Sequence, residues 1–227
     1  MKRLLWLLVL GVTLAGCRVD AEIDLYLSDI RALAQGDKAS LTARALLEVY
    51  IPDAKKCDEY TAQIVPILEH YFETVDPRGC EDNAINDSLL VDAYLPMVAS
   101  DEQLTDLVLP HNGFIGLAVV DRPNDQRIDV WIVFIQEKMN LLSKEIEGRF
   151  GQDIEFNIGK IFLRNDEEVT AKVFIFSSFA DGRPFPTEGQ ISLRRRNSIE
   201  ITLSDVALAY VLETGPLSIL AISRSTD

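Results

Sequence analysis

The stretch Arg18–Ile30, RVDAEIDLYLSDI, decides how the rest of the chain is interpreted. Apolar side chains occupy every second position of its first ten residues. Because successive side chains of a strand point to opposite faces of its sheet, this alternation predicts a strand with one buried face. Ser28 and Asp29 then offer N-caps to a short helix that ends at Gly36. The sequence therefore begins its body with a strand followed directly by a capped helix.

A second stretch near the C-terminus has the same order of residue types. Residues 199–206, IEITLSDV, parallel residues 23–30, IDLYLSDI, and each leads from a strand through a Ser-Asp pair into a helix and a further strand. Duplication and chance convergence on a common capping pattern both explain the similarity. If it is a duplication, both ends of the chain contribute to one sheet, which favours a single domain over two.

The remaining periodicity predicts an α+β fold with mostly antiparallel sheet. Two longer helices are expected at about 55–72 and 135–150, with short capped helices after the first strand and near the C-terminus. Pro66 should kink or break the first of the long helices. Turns or loops are expected at 76–79 and 181–189, and hairpins are expected from residues 114–120 with 128–134 and from residues 154–163 with 169–177.

The first seventeen residues, MKRLLWLLVLGVTLAGC, have the pattern of an export signal. Lys2 and Arg3 precede an apolar run from Leu4 to Leu14. A helix of that length spans roughly 16 Å, about half of a ~30 Å hydrocarbon core, so it is too short for a permanent transmembrane anchor. The segment is therefore expected to be removed.

The end of this segment, Leu14-Ala15-Gly16-Cys17, resembles the lipobox of bacterial lipoproteins. The resemblance implies a diacylglyceryl group on Cys17 and cleavage before it, giving a signal peptide of residues 1–16 and a single α+β periplasmic domain of residues 17–227. Two or three acyl chains hold a protein stably on a membrane. An ordinary secretory signal with a chance cysteine is the alternative.

The residue after Cys17 indicates in which membrane such a lipoprotein is held. In this family an Asp at that position tends to retain the protein at the inner membrane, and here the position is Arg18. The periplasmic face of the outer membrane is therefore the expected location, with the inner membrane and the cell surface as alternatives.

Charge limits the partners of the chain. Its 22 basic and 36 acidic residues give a net charge of −14, and loss of Lys2 and Arg3 would make the mature chain still more acidic. Such a charge repels polyanions, so nucleic-acid binding and docking onto acidic lipid are not expected. The basic cluster Arg194–Arg196 is interpreted as a solvated turn, with a local anion or partner site as the alternative.

Two cysteines remain beside the anchor, Cys57 and Cys80. In an exported chain they most simply form one disulfide. The bridge would close a loop of 23 residues and contribute about 3 kcal/mol on the chain-entropy model.

The chain carries no recognised catalytic motif. His70 and His111 are its two histidines, and neither lies near a nucleophile or metal-binding motif. Residues 81–87, EDNAIND, lack the glycine and the terminal glutamate of an EF-hand loop and are interpreted as a turn. The carboxylates single out no acid pair. The sequence therefore predicts no enzymatic activity, no cofactor and no metal site.

The body of the chain also resembles uncharacterised small lipoproteins of Gram-negative bacteria and their prophages. The resemblance rests on the order of VDAEIDLYLSDI, KKCDEYTAQI and PRGC. It favours a non-enzymatic lipoprotein that binds an envelope protein or helps an envelope assembly. A prophage or mobile-element exclusion factor is one alternative. A carrier that holds an acyl chain or other apolar ligand between a sheet and the 135–150 helix is another. The oligomeric state is not indicated.

Overall fold

Strands are the main secondary structure of the described residues, and along many of them buried and exposed side chains alternate. The computed structural model describes residues 17–82, 87–101, 104, 109, 113–151 and 154–224. In the first strand, β1 (Cys17–Tyr26), the side chains of Val19, Ala21, Ile23 and Leu25 are buried and those between them are partly exposed. The alternation of the opening stretch therefore places one face of β1 in the core.

The described part of the chain forms eleven strands and four α-helices. The further strands are β2 (Ser40–Ile51), β3 (Val75–Glu81), β4 (Asp87–Ser100), β5 (Ile115–Arg122), β6 (Arg127–Phe134), β7 (Ile154–Arg164), β8 (Ala171–Ala180), β9 (Arg183–Leu193), β10 (Ser198–Leu203) and β11 (Leu217–Ser223). The helices are α1 (Leu27–Ala34), α2 (Cys57–Leu68), α3 (Gln136–Phe150) and α4 (Asp205–Thr214), with 3₁₀ turns at Ala54–Lys56 and Pro123–Asp125.

Nine of the strands form a closed barrel. Their order is β10, β7, β1, β2, β4, β5, β6, β11 and β8, and β8 pairs back with β10. The pairs β1–β7 and β4–β5 are parallel, and the others are antiparallel. The two remaining strands lie outside the ring, β3 on β4 and β9 on β8. Strands from both ends of the chain therefore belong to one sheet.

The expected fold class, α+β with two long helices at about 55–72 and 135–150, is wrong, because strands dominate and the four helices are short. Helix α3 occupies the expected positions, but α2 ends at Leu68 with Pro66 inside it. Periodicity shows which side chains are buried, but it does not show which strands pair, so it gives no signal for ring closure. The segment 76–79, expected to be a turn, is part of β3.

One of the two expected hairpins forms. Strands β5 and β6 pair antiparallel around the 3₁₀ turn at Pro123–Asp125. The expected hairpin of residues 154–163 with 169–177 is wrong, because β7 pairs with β1 and β10 while β8 pairs with β9, β10 and β11. Strand β7 therefore pairs with strands that are distant in sequence and not with β8, the next strand along the chain.

Helices α2 and α3 lie together near the beginning of β1. Cys17 is in register with Ile154, the first residue after α3 to lie in a strand. Arg149 donates a hydrogen bond to the carbonyl oxygen of Gln63 across the two helices. This end of the barrel holds an aromatic cluster around Phe114, whose ring contacts those of Tyr71, Phe72, Phe134 and Phe156.

Helix α1 lies across the barrel where β1 ends. It contacts β1, β2, β4, β5 and β6 and buries Leu27, Ile30 and Leu33 in the main core. The charged side chain of Arg31 is buried with them and forms an ion pair with Glu167. This end of the barrel is therefore closed by the helix that directly follows the first strand.

Candidate functional site

The candidate site lies where β10 and β11 meet. Strand β9 pairs with β8 from Ala171 to Ala180 and so occupies one edge of it. The other edge is shared: β11 pairs with residues 173–175 and β10 with residues 178–180. Both are antiparallel to β8, so β10 and β11 lie end to end along it. Helix α4 connects them and therefore stands beside their junction.

A bulge in β8 lies at this junction. The β8–β9 register shifts between Phe176 and Ser178, and the intervening Ser177 has a positive φ of 47°. The Ser177 carbonyl oxygen accepts a hydrogen bond of 3.1 Å from the Ser204 hydroxyl. The same hydroxyl accepts a hydrogen bond from the backbone N–H of Ala207 and caps α4. Ser204 thus ties the start of α4 to the bulge.

The β8–β9 connection is a two-residue hairpin turn. Asp181 and Gly182 have φ values of 47° and 74°, and two successive positive φ angles are typical of a type I′ turn. Asp181 also pairs with Glu200 of β10 through two hydrogen bonds. The expected loop at 181–189 is therefore wrong, since β9 begins at Arg183. The Asp-Gly pair is the signal that predicts this hairpin.

An open apolar groove of about 530 Å³ lies between α4 and this hairpin. Val206 and Tyr210 of α4 are 80% and 52% exposed, and Phe179 of β8 is 39% exposed. Large apolar side chains are rarely left so exposed in one place on a soluble domain. Pro184, Phe185, Pro186 and Leu217 are among the other lining residues.

Gly189 shapes the wall of the groove. A Cβ atom at this position would lie 1.7 Å from Cδ1 of Phe185, so the Phe185 ring packs directly over the glycine backbone. Because a side chain at position 189 would displace that ring, the residue fixes the contour of the hairpin side of the groove.

Of the two predictions about cysteines, the structure tests the disulfide but not the lipid attachment. Cys57 and Cys80 form a disulfide with a Cα–Cα distance of 5.7 Å, which confirms that pairing. Leu14, Ala15 and Gly16 lie outside the described residues, so the lipobox stays a prediction. Cys17 begins β1 opposite Ile154.

The basic cluster forms a tight turn. The N–H of Asn197 donates to the carbonyl oxygen of Arg194, and Arg196 adopts a positive φ of 59°. Arg195 forms an ion pair with Glu168. The interpretation of this cluster as a turn between two strands is confirmed.

The other polar candidates are dispersed. His70 is exposed with Nδ1 3.3 Å from Glu145 Oε1, and His111 lies outside the described residues. Over the described ranges, no three His, Cys, Asp or Glu side chains are grouped to hold a metal ion. Nor does any helix among the described residues combine the length and apolar character needed to cross a membrane.

The carboxylates of Asp129, which is buried, and Asp92, which is partly buried, have pKa values that shift in opposite directions. Burial raises the pKa of Asp129, and the hydrogen bond from Arg122 offsets only part of this effect. Burial also acts to raise the pKa of Asp92, but hydrogen bonds from Arg44 and Arg78 outweigh it and lower the pKa. Both carboxylates have an arginine partner, and they lie on different strands, so they do not form an acid pair.

The architecture defines a closed β-barrel with an apolar surface groove. Residues 19–226 match the family model described as a domain of unknown function, DUF7424, and the chain belongs to that family. A comparison with curated proteins found no match.

Proposed function

We propose that this chain is a lipid-anchored, non-enzymatic binding module of the bacterial envelope, and that a protein partner docks in the groove beside α4. The observation that carries the proposal is the clustering of Val206, Tyr210 and Phe179 in one open concavity. Burying such apolar surface on binding contributes roughly 25 cal/mol per Å² before the entropy of association is subtracted.

The position of the groove suits a protein held at Cys17. Ala180 of β8 is in register with Ile201 of β10, which is in register with Ile161 of β7 and through it with Ile23 of β1. The six steps from Cys17 to Ile23 span roughly 20 Å of strand. An acyl chain on Cys17 would therefore place the membrane at the α2–α3 end and leave the groove accessible.

The acidic surface supports attachment through lipid. A chain of net charge −14 is repelled by anionic headgroups, so surface electrostatics do not attract it to a membrane. A lipid on Cys17 supplies the attraction that the folded surface lacks.

The anchor is tested by mass spectrometry and by one substitution. The protein from a bacterial host should have an acylated Cys17 as its first residue, and Cys17→Ser should accumulate as an unprocessed precursor. Normal processing of the Cys17→Ser variant, or an unmodified amino terminus on the wild type, would overturn the lipid-anchor part of the proposal.

The groove is tested with matched surface variants. Val206→Glu places a charge in the groove, while Leu141→Glu changes an equally apolar position on α3, where Leu141 is 50% exposed. In cross-linking on intact envelopes, a stoichiometric partner should be lost in Val206→Glu and kept in Leu141→Glu. Equal capture by both variants would contradict docking in the groove.

Native mass spectrometry then separates this proposal from the carrier alternative. The Cys17→Ser protein made without residues 1–16, and so without the lipid or the apolar leader, should carry no bound apolar ligand. A stoichiometric co-purifying lipid would favour a carrier and overturn the binding-module assignment.

A further inference from the structure

A second concavity lies at the opposite end of the barrel from Cys17. Tyr26 of β1 is in register with Arg164 of β7, and Arg164 is in register with Ser198 of β10. Because register partners place their side chains on the same face of a sheet, these three form one outward-facing row. With Asn165, Asp166, Arg196 and Asn197 they line a pocket of about 240 Å³.

Asn165 holds the turn over this pocket in place. Its backbone N–H donates to the carbonyl oxygen of Asn197, and its carbonyl oxygen accepts from the N–H of Arg196. Its side-chain amide is buried and donates to the carbonyl oxygens of Val169 and Leu193. The backbone of the turn is therefore fixed at the rim of the pocket.

Arg196 is the unusual residue of this turn. Its φ of 59° lies in the left-handed region, where a side chain other than glycine or asparagine is uncommon. Glycine would occupy the position without strain. Arg196 is one of the residues that line the pocket, and strained positions of this kind cluster at binding sites.

Some of the polar side chains that line the pocket have partners within the protein, and others are free to contact a ligand. Arg164 donates two hydrogen bonds to Asp24, whose carboxylate also accepts one from Arg44. The carboxylate of Asp166 accepts two hydrogen bonds from Ser28. Across the described ranges, the side chains of Tyr26, Arg196 and Ser198 have no hydrogen-bond or ion-pair partner. The pocket therefore offers the positive charge of Arg196, hydroxyl groups and an exposed aromatic ring, beside the Asp166 carboxylate, which Ser28 hydrogen-bonds but does not neutralise.

We propose that this pocket binds the phosphate monoester of a sugar. The guanidinium of Arg196 and the hydroxyl of Ser198 would hold the phosphate oxygens, since arginine provides several donors in a geometry that fits phosphate. The ring of Tyr26 would pack against the apolar face of the sugar. The volume is below the ~300–1,000 Å³ of pockets for drug-sized ligands, so the occupant is about one sugar in size. The site is separate from the α4 groove and does not depend on the function proposed for it.

The proposal is tested by ³¹P NMR titration of glucose 6-phosphate with the full-length protein in a phosphorus-free detergent. Saturable binding is expected, and Arg196→Gly should weaken it at least tenfold. This substitution keeps the backbone turn, so its thermal unfolding should match or exceed that of the wild type. Arg195→Gln is the matched control, because Arg195 pairs with Glu168 outside the pocket. It should bind as the wild type does.

A second variant tests recognition of the sugar. Tyr26→Leu should weaken binding of glucose 6-phosphate but leave binding of inorganic phosphate unchanged. Absence of saturable binding to the wild type, equal affinity in Arg196→Gly, or inorganic phosphate bound as tightly as glucose 6-phosphate would each overturn the proposal.

The same chemistry is found in soluble sugar phosphates and in the headgroups of phosphorylated glycolipids. Flotation of a Cys17→Ser protein made without residues 1–16, which has no lipid of its own, distinguishes the two sources when the phosphatidylcholine vesicles contain a phosphorylated glycolipid. Greater flotation of this protein than of the same protein with Arg196→Gly supports the headgroup, and equal flotation with retained glucose 6-phosphate binding supports the soluble form.

Discussion

Asp166 caps the helix that closes the barrel, although it lies 138 residues from its partner Ser28. One carboxylate oxygen accepts a hydrogen bond of 3.1 Å from the backbone N–H of Ser28, and the other accepts one of 2.5 Å from its hydroxyl. The residue that precedes α1, Tyr26, provides no side-chain cap. The first turn of α1 therefore depends on the loop between β7 and β8.

Loss of this carboxylate should destabilise the barrel. Asp166→Ala leaves the start of α1 uncapped, and loss of an N-cap lowers the free energy of unfolding by about 1–2 kcal/mol. Urea denaturation should show this decrease. Glu168→Ala is the control, because the Glu168 side chain is 77% exposed and a surface ion pair is worth at most ~1 kcal/mol. Equal destabilisation by both variants would contradict the capping role.

The two Ser-Asp stretches show what a local pattern can and cannot predict. Ser204 caps α4 as the sequence indicates, since its hydroxyl accepts from the N–H of Ala207. Ser28 has the same neighbours in sequence but lies inside α1, which begins at Leu27, and its hydroxyl donates to Asp166. The pattern correctly predicts a helix at both places. It does not predict the cap of α1, because that cap comes from a distant loop.

The strands and the disulfide could be predicted because both depend on local signals. Alternation places β1, and the expectation of an export signal leads to the pairing of Cys57 with Cys80. Closure of the barrel depends instead on β8, whose single edge receives both β10 and β11. The groove beside α4 follows from that junction, so no local pattern indicates it. The exposure of Val206 and Tyr210 depends on where α4 lies in the fold.

The ion pair between the buried Arg31 and the partly buried Glu167 should respond asymmetrically to substitution. The two side chains are 7% and 17% exposed. Glu167→Ala leaves a buried guanidinium without its carboxylate and should lower the free energy of unfolding by about 3 kcal/mol. The double variant Arg31→Met with Glu167→Leu should be more stable than Glu167→Ala, because it also removes the buried charge of Arg31. A double variant no more stable than Glu167→Ala, measured by urea denaturation, would show that the unpaired guanidinium is not the cause of the loss in the single variant.

Reduction of the disulfide should destabilise the protein through its unfolded state. Cys57 is the first residue of α2 and Cys80 lies in β3, so the bridge holds the helix beside the outer strand. Opening a 23-residue loop should lower the free energy of unfolding by about 3 kcal/mol. Denaturation with and without reductant measures the change. The double variant Cys57→Ser with Cys80→Ser should match the reduced wild type and show no response to reductant.

Asp92 should make the fold sensitive to acid. Burial alone raises its pKa, but the hydrogen bonds from Arg44 and Arg78 lower the pKa below its ordinary value of 3.8. Because the folded pKa is below the unfolded one, the stability that Asp92 contributes is fully present above about pH 4 and is lost as pH falls through the folded pKa. Asp92→Asn should therefore be less stable than the wild type at pH 7 and lose less stability between pH 5 and pH 2.

Asp129 provides the opposite case on the same barrel. Burial raises its pKa above 3.8 despite the hydrogen bond from Arg122. The folded state therefore holds the proton more tightly than the unfolded state, and the stability linked to Asp129 is present below about pH 4 and decreases as pH rises through the folded pKa. Relative to the wild type, Asp129→Asn should lose more stability on acidification, whereas Asp92→Asn should lose less. Urea denaturation of the three proteins from pH 2 to pH 7 gives the two slopes. If the slopes of both variants differ from that of the wild type in the same direction, the pKa values of the two carboxylates are not shifted in opposite directions.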